Sequence, residues 1–283
     1  MDIAALALGL VFLLPAAFID FRTREVPDML SYGLLFCAIV VGVGSALSLW
    51  SFAPFLRMVF GSSAGAALGL LMFFTGQWGG ADAKLLIGVG AVLGLGFGTL
   101  DTLLFMLLLF VGGAAWGILY ALVLGFGHRK IVIATFKKQL HEPRIRRWRI
   151  FVVAGGFAFL LLIVFARGHR FALAIVGVCS YLLFYLWLLV KSIEESVLIK
   201  QYPLGKLTEG DWIWKDVVIR GKVLCGPKDH GISEEQIATL RRLKIGKVWV
   251  KEGIPFVPSF LLAFLLTFWL GSSLGQFLSF VFS

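Results

Sequence analysis

The 283-residue chain is 59% hydrophobic and only 15% charged, which excludes an ordinary soluble domain and points to a polytopic helical membrane protein. A net charge of +10 beside so many apolar runs reports membrane topology and contact with anionic lipid headgroups, so no nucleic-acid partner is expected. Cys37, Cys179 and Cys225 are far apart and form no CxxC or Cys/His cluster, which suggests neither a disulfide framework nor a metal site.

Residues 3–19 form a first apolar run, closed by Asp20. It lacks a cationic leader and a clear small-x-small cleavage site, so it reads as a retained helix. The loop 20–28 carries five charges in nine residues, and Pro27 suits the start of a second span over 29–49. A third span ends near Phe74, a fourth runs from Asp82 to about Leu100, and a fifth covers 103–126. The short gap between the last two predicts antiparallel neighbours, with Asp101 as an N-cap. Residues 128–149 hold eight lysines and arginines among apolar residues and are expected to lie at the headgroups as a surface helix or loop. Spans six and seven follow within 150–190, and an eighth lies within 254–283.

Between them, residues 191–253 read as a small α/β domain inserted before the last helix. Trp212 to Leu224 has strand composition broken by Gly221, and Ser233-Glu234-Glu235-Gln236 is a capping box opening a helix that Gly246 ends. Residues 247–251 read as a second strand, and His230 as a solvated turn residue. The expected organisation is therefore a catalytic transmembrane core over 1–127, the basic segment 128–149, helices over 150–190, the α/β domain 191–253 and a last helix over 254–283. With the 20–28 loop placed in the cytoplasm, 23 of the 26 lysines and arginines fall inside, leaving Arg57, Arg167 and Arg170 outside. Both termini are then extracytoplasmic, and Asp20 and Asp82 share the cytoplasmic face.

Ionisable side chains at membrane depth are functional suspects, and two carboxylates close enough to share a proton leave one acid and one base at neutral pH. Such a pair can hydrolyse a peptide with water as nucleophile and without metal or organic cofactor. Asp20 and Asp82 are the candidate catalytic residues. Gly79 and Gly80 would supply backbone freedom and close approach of a substrate chain, while Glu25 and Asp28 could attract its basic residues. Lys84 could stabilise the charge on Asp82 or bind lipid phosphate. Gly61, Gly65 and Gly69, with Gly90, Gly94 and Gly98, place small residues on one face of helices three and four, which favours close packing.

Asp20 with Val26-Pro27-Asp28, together with Gly79-Gly80-Ala81-Asp82-Ala83-Lys84, resembles the GxGD aspartyl proteases of the type IV prepilin peptidase and archaeal preflagellin peptidase family. Gly253-Ile254-Pro255-Phe256-Val257-Pro258 is similar to the entry of the last helix in archaeal members. The resemblance implies cleavage of class III signal peptides on membrane-anchored prepilin- or archaellin-like precursors at the cytoplasmic face, with Asp20 and Asp82 as catalytic carboxylates. Ala81 replaces the second glycine of the motif, and the cysteine pairs of bifunctional members are absent, so their methyltransferase activity is not implied. A presenilin-type protease that cuts within the membrane is one alternative, although no Pro-Ala-Leu occurs. A non-enzymatic membrane scaffold or transporter is the other.

Overall fold

A computed structural model describes residues 3–96, 99–165, 170–219, 221–229 and 231–281. His230 and residues 167–169 of the loop between spans six and seven lie outside the described residues. The chain divides into two compact units, one formed by Met1–Gly117, Pro203–Val248 and Gly253–Ser283, the other by Ile118–Tyr202 and Trp249–Glu252. It is mostly helical, as a chain must be where no water is present to satisfy the backbone.

In the first unit, α1 (Ile3–Thr23), α2 (Asp28–Ser48), α3 (Ala53–Phe74), α4 (Gly80–Gly96), the first part of α5 (Thr99–Gly127) and α10 (Val257–Val281) share one apolar core. Leu13, Leu34, Phe105, Phe260 and Phe264 are fully buried within it. Among the described residues, five helices are long and apolar enough to cross a membrane: α1, α2, α3, α5 and α8 (Arg170–Ile193). The eight positions expected to span are all helical, and the three not among these five are α4, α7 (Pro143–Phe165) and α10, the last an apolar helix over Val257–Gly271 by the same measure.

The tightest helix contact is between α3 and α4, and glycine makes it possible. A Cβ on Gly61 would collide with the carbonyl of Gly90, one on Gly94 with the carbonyl of Arg57, and one on Gly69 would lie 3.0 Å from the carbonyl oxygen of Ala83. The two backbones thus touch along three turns, as small-residue faces allow. On its other sides α4 packs on α2 and α1. Among the described residues α3, not α5, is the close neighbour of α4, and α5 sends Phe105 and Leu109 into the shared core. Asp101 sits within the first turn of α5, two residues past its start, where an acid favours the positive helix end without being its N-cap.

The soluble stretch of this unit holds β2 (Trp212–Ile213), the antiparallel hairpin of β3 (Val217–Ile219) and β4 (Lys222–Cys225), and α9 (Glu234–Arg242). Gly221 takes φ +80° and makes the expected break, between β3 and β4, while a further break separates Ile213 from Val217. The capping box is formed: Gln236 N–H donates to Ser233 Oγ at 3.3 Å, and Ser233 N–H to Gln236 Oε1 at 2.9 Å. Gly246 does not end α9; the left-handed residue after it is Lys244, at φ +53°. Cys225 is fully buried, and burial, followed by the charges of Asp229 and Asp216, pushes its thiol up to about 11.

In the second unit, α6 (Arg129–Leu140) is the surface helix expected for the basic segment. That segment is shorter than expected, however, because Pro143 starts α7, and Arg144, Arg146, Arg147 and Arg149 belong to the first turns of α7. Past Lys191, α8 continues to Ile193 and then through a π-helical turn, Glu194–Leu198, so the soluble stretch begins later than expected, at β1 (Ile199–Pro203). β1 neighbours β5 (Lys247–Lys251), and Glu252 N–H donates to Leu198 O at 2.9 Å. Val132, Ile193 and Val197 bury against Ala121, beside a Ser192 to Gln139 hydrogen bond of 2.8 Å.

Two outcomes follow from this packing. Gly65→Leu should lower the stability of the chain by about 1–3 kcal/mol through overpacking, measured by thermal unfolding in detergent, whereas Gly44→Leu, which meets no neighbour, should not. In a Cys37→Ser, Cys179→Ser background, Cys225 should resist maleimide at pH 8 until the chain unfolds, since roughly one thiol in a thousand would be ionised.

Candidate active site

Asp20 lies in the last turn of α1, inside the helix and not after it, and only 5% of its surface is exposed. A carboxylate there requires donors, and the first turn of α10 provides one: Val257 N–H donates to Asp20 Oδ2 at 2.8 Å. The opening N–H groups of a helix have no partner within it, so an anion is favoured at that end. The start of α10 is fixed by aromatic packing. Trp78, itself buried, has Phe256 and Phe260 at ring-centroid distances of 5.2 and 5.7 Å, and Trp116 Nε1–H donates to Pro255 O at 2.8 Å.

Asp82 is the third residue of α4 and reaches back to accept the Gly79 N–H at Oδ2, 3.3 Å away. This is the reciprocal half of a capping box, with Gly79 in the capping position. Asp82 is half-buried and within electrostatic reach of Asp20. The two carboxylates that the sequence singled out thus lie in one unit, each held by a backbone amide at the opening of a helix.

The other singled-out residues have different places. Lys84 Nζ donates to both carboxylate oxygens of Asp28, at 2.8 and 3.0 Å, and lies 5.4 Å from the Tyr32 ring centroid. It ties the start of α4 to the start of α2, so Asp28 is already engaged by a cation of the chain itself. Glu25 is exposed. The Thr208 hydroxyl lies 3.1 Å from Glu25 Oε1 and 3.2 Å from Asp211 Oδ2, and its single proton serves one at a time. Gly79 and Gly80 adopt no left-handed conformation, and a Cβ at either would meet only ordinary contacts. Just before them, Gly76 has a positive φ, +69°, and is packed by Trp212.

Sequence reasoning missed the Val257 amide and Thr208. Backbone donors carry no residue signature, although Pro255 and Pro258 around Val257 mark a helix start. Among the described residues, no three metal-ligating side chains converge.

Residues 7–122 match the type IV leader peptidase family. The chain is also similar to preflagellin peptidases of Methanococcus voltae, 32% identical over 89 residues, and of Methanococcus maripaludis, 34% identical over 86 residues. These stretches cover 31% and 30% of this chain, and 38% and 36% of the two relatives, so the chain spans well under half the length of each. No solved structure matches it.

The two kinds of contact at the site should separate by cost. Asp28→Asn, which breaks a solvent-exposed ion pair, should change stability by less than about 1 kcal/mol. Val257→Pro removes the N–H donated to Asp20 and should cost about 1.5–3 kcal/mol beyond Val257→Ala, which keeps it. Thermal unfolding of the three variants in one detergent checks the order.

Proposed function

We propose, from the match of residues 7–122 to the type IV leader peptidase family, that this chain is a membrane aspartyl endopeptidase that cleaves the class III signal peptides of prepilin- or preflagellin-like precursors. The observation that carries the reading is that Asp20 and Asp82 lie within electrostatic reach of each other in one unit, each accepting a backbone N–H. The similarity to preflagellin peptidases supports the substrate class.

In this mechanism the two carboxylates share one proton. The ionised one takes a proton from water as the water oxygen attacks the scissile carbonyl carbon. The protonated one gives its proton to the developing oxyanion and the pair later protonates the leaving amine. Titration belongs to the pair and not to either residue, so the pH–rate profile has two macroscopic limbs. The amides of Val257 and Phe256 keep the Asp20 carboxylate oriented, and that of Gly79 keeps Asp82 oriented. The lysine and arginine bias supports a cytoplasmic site, open to a precursor whose apolar helix stays in the bilayer.

The test is processing of a preflagellin-like precursor in membranes by Asp20→Asn and Asp82→Asn. Each substitution should reduce cleavage at least about a thousandfold with the protein still folded. Near-normal cleavage by either would sink the paired-carboxylate reading, and a cut inside the apolar helix would favour the presenilin-type alternative.

A further inference from the structure

We infer that the cavity between the start of α7 and the end of α8 binds the phosphodiester headgroup of one anionic membrane lipid. The cavity has a volume of about 450 Å³ and is lined by Arg144, Ile145, Trp148, Phe184, Trp187 and Lys191. That size is in the range of small-molecule sites. It lies wholly within the second unit, and its occupancy does not depend on Asp20 and Asp82 forming a peptidase pair.

The lining combines two chemistries that a phospholipid presents together. Arg144, exposed in the first turn of α7, offers a planar fork suited to two phosphate oxygens. Lys191 comes from the last turn of α8; its Nζ is 5.6 Å from the Trp187 ring centroid and 3.7 Å from Glu195 Oε1. An ammonium has three donors, and one distant carboxylate oxygen occupies at most one of them. The first turn of α7 carries no acid, and Arg146, Arg147 and Arg149 on the same helix add to the positive potential.

The remaining lining residues choose between a lipid and a free anion. Trp148 and Trp187 are 58% and 49% exposed, the amphipathic aromatics that settle at the headgroup level. From the cavity, exposed Phe151 on α7, which packs on Trp148, and Leu183 on α8, one turn before Trp187, lead toward the apolar middles of the two helices. A glycerol backbone would rest against the tryptophans and its acyl chains along this strip. Inorganic phosphate would use the two cations and leave the aromatic rim and the strip uncovered.

The full chain, delipidated in mild detergent, is titrated separately with dioleoyl phosphatidylglycerol, dioleoyl phosphatidylcholine and inorganic phosphate. Native mass spectrometry counts what is retained, and thermal unfolding reads the effect. One phosphatidylglycerol should bind and raise the unfolding temperature, while phosphatidylcholine and phosphate should do neither. Arg144→Gln with Lys191→Gln should weaken phosphatidylglycerol binding roughly thirtyfold, and the exposed Arg144→Gln alone about fivefold. Lys137→Gln with Lys138→Gln, which removes the same charge from α6 outside the cavity, should leave it unchanged. Equal retention of the two lipids, equal loss in the α6 variant, or an effect reproduced by phosphate alone would overturn the assignment.

Discussion

Two carboxylates near each other and partly out of water repel, and each loses hydration; the arrangement persists only if fixed dipoles replace the water. Asp20 and Asp82 meet that condition in the same way, through a backbone N–H at the opening of α10 and of α4. Helix openings are suited to this, since their first N–H groups lack intrahelical partners and sum to a partial positive charge. Much of the first unit can be understood as what holds those two helix starts near the end of α1.

For α4 the holding is done by backbone contact. The α3 glycines remove side chains from the interface, so the register of α4 against α3 is set by carbonyls and not by adjustable rotamers. Lys84 and Asp28 add a link to α2, but an exposed pair contributes little energy and works mainly as a stop on rotation. For α10 the holding is aromatic, with Trp78 contributing from the segment just before α4. Because Trp78 lies four residues from Asp82 and packs on the start of α10, the same short segment positions both amide-bearing helix ends.

The parts of this structure that were legible in the sequence are those with local causes. The apolar runs placed the helices, the Ser233 to Gln236 capping box placed α9, and the alternation in residues 247–251 placed β5. Asp20 and Asp82 were legible because charges are rare in such runs. What was not legible depends on distance along the chain: the Asp20 to Val257 bond joins residues 237 apart, and the Lys84 to Asp28 pair joins residues 56 apart. The misreadings share a physical source. Proximity in sequence suggested α5 as the neighbour of α4, but the glycine faces make α3 the close one. Gly246 was the expected helix stop, yet Lys244 took the left-handed conformation, and Gly79 and Gly80 proved conformationally ordinary where Gly76 is not.

The claim on which the rest turns is that Asp20 and Asp82 work as one catalytic unit. The most direct measurement compares single-turnover cleavage by Asp20→Asn, Asp82→Asn and the double variant on the same precursor. Residues that act as a unit are strongly non-additive, so all three should fall to the same residual rate. A double variant whose loss is the product of the two single losses would show two independent contributions and contradict the account.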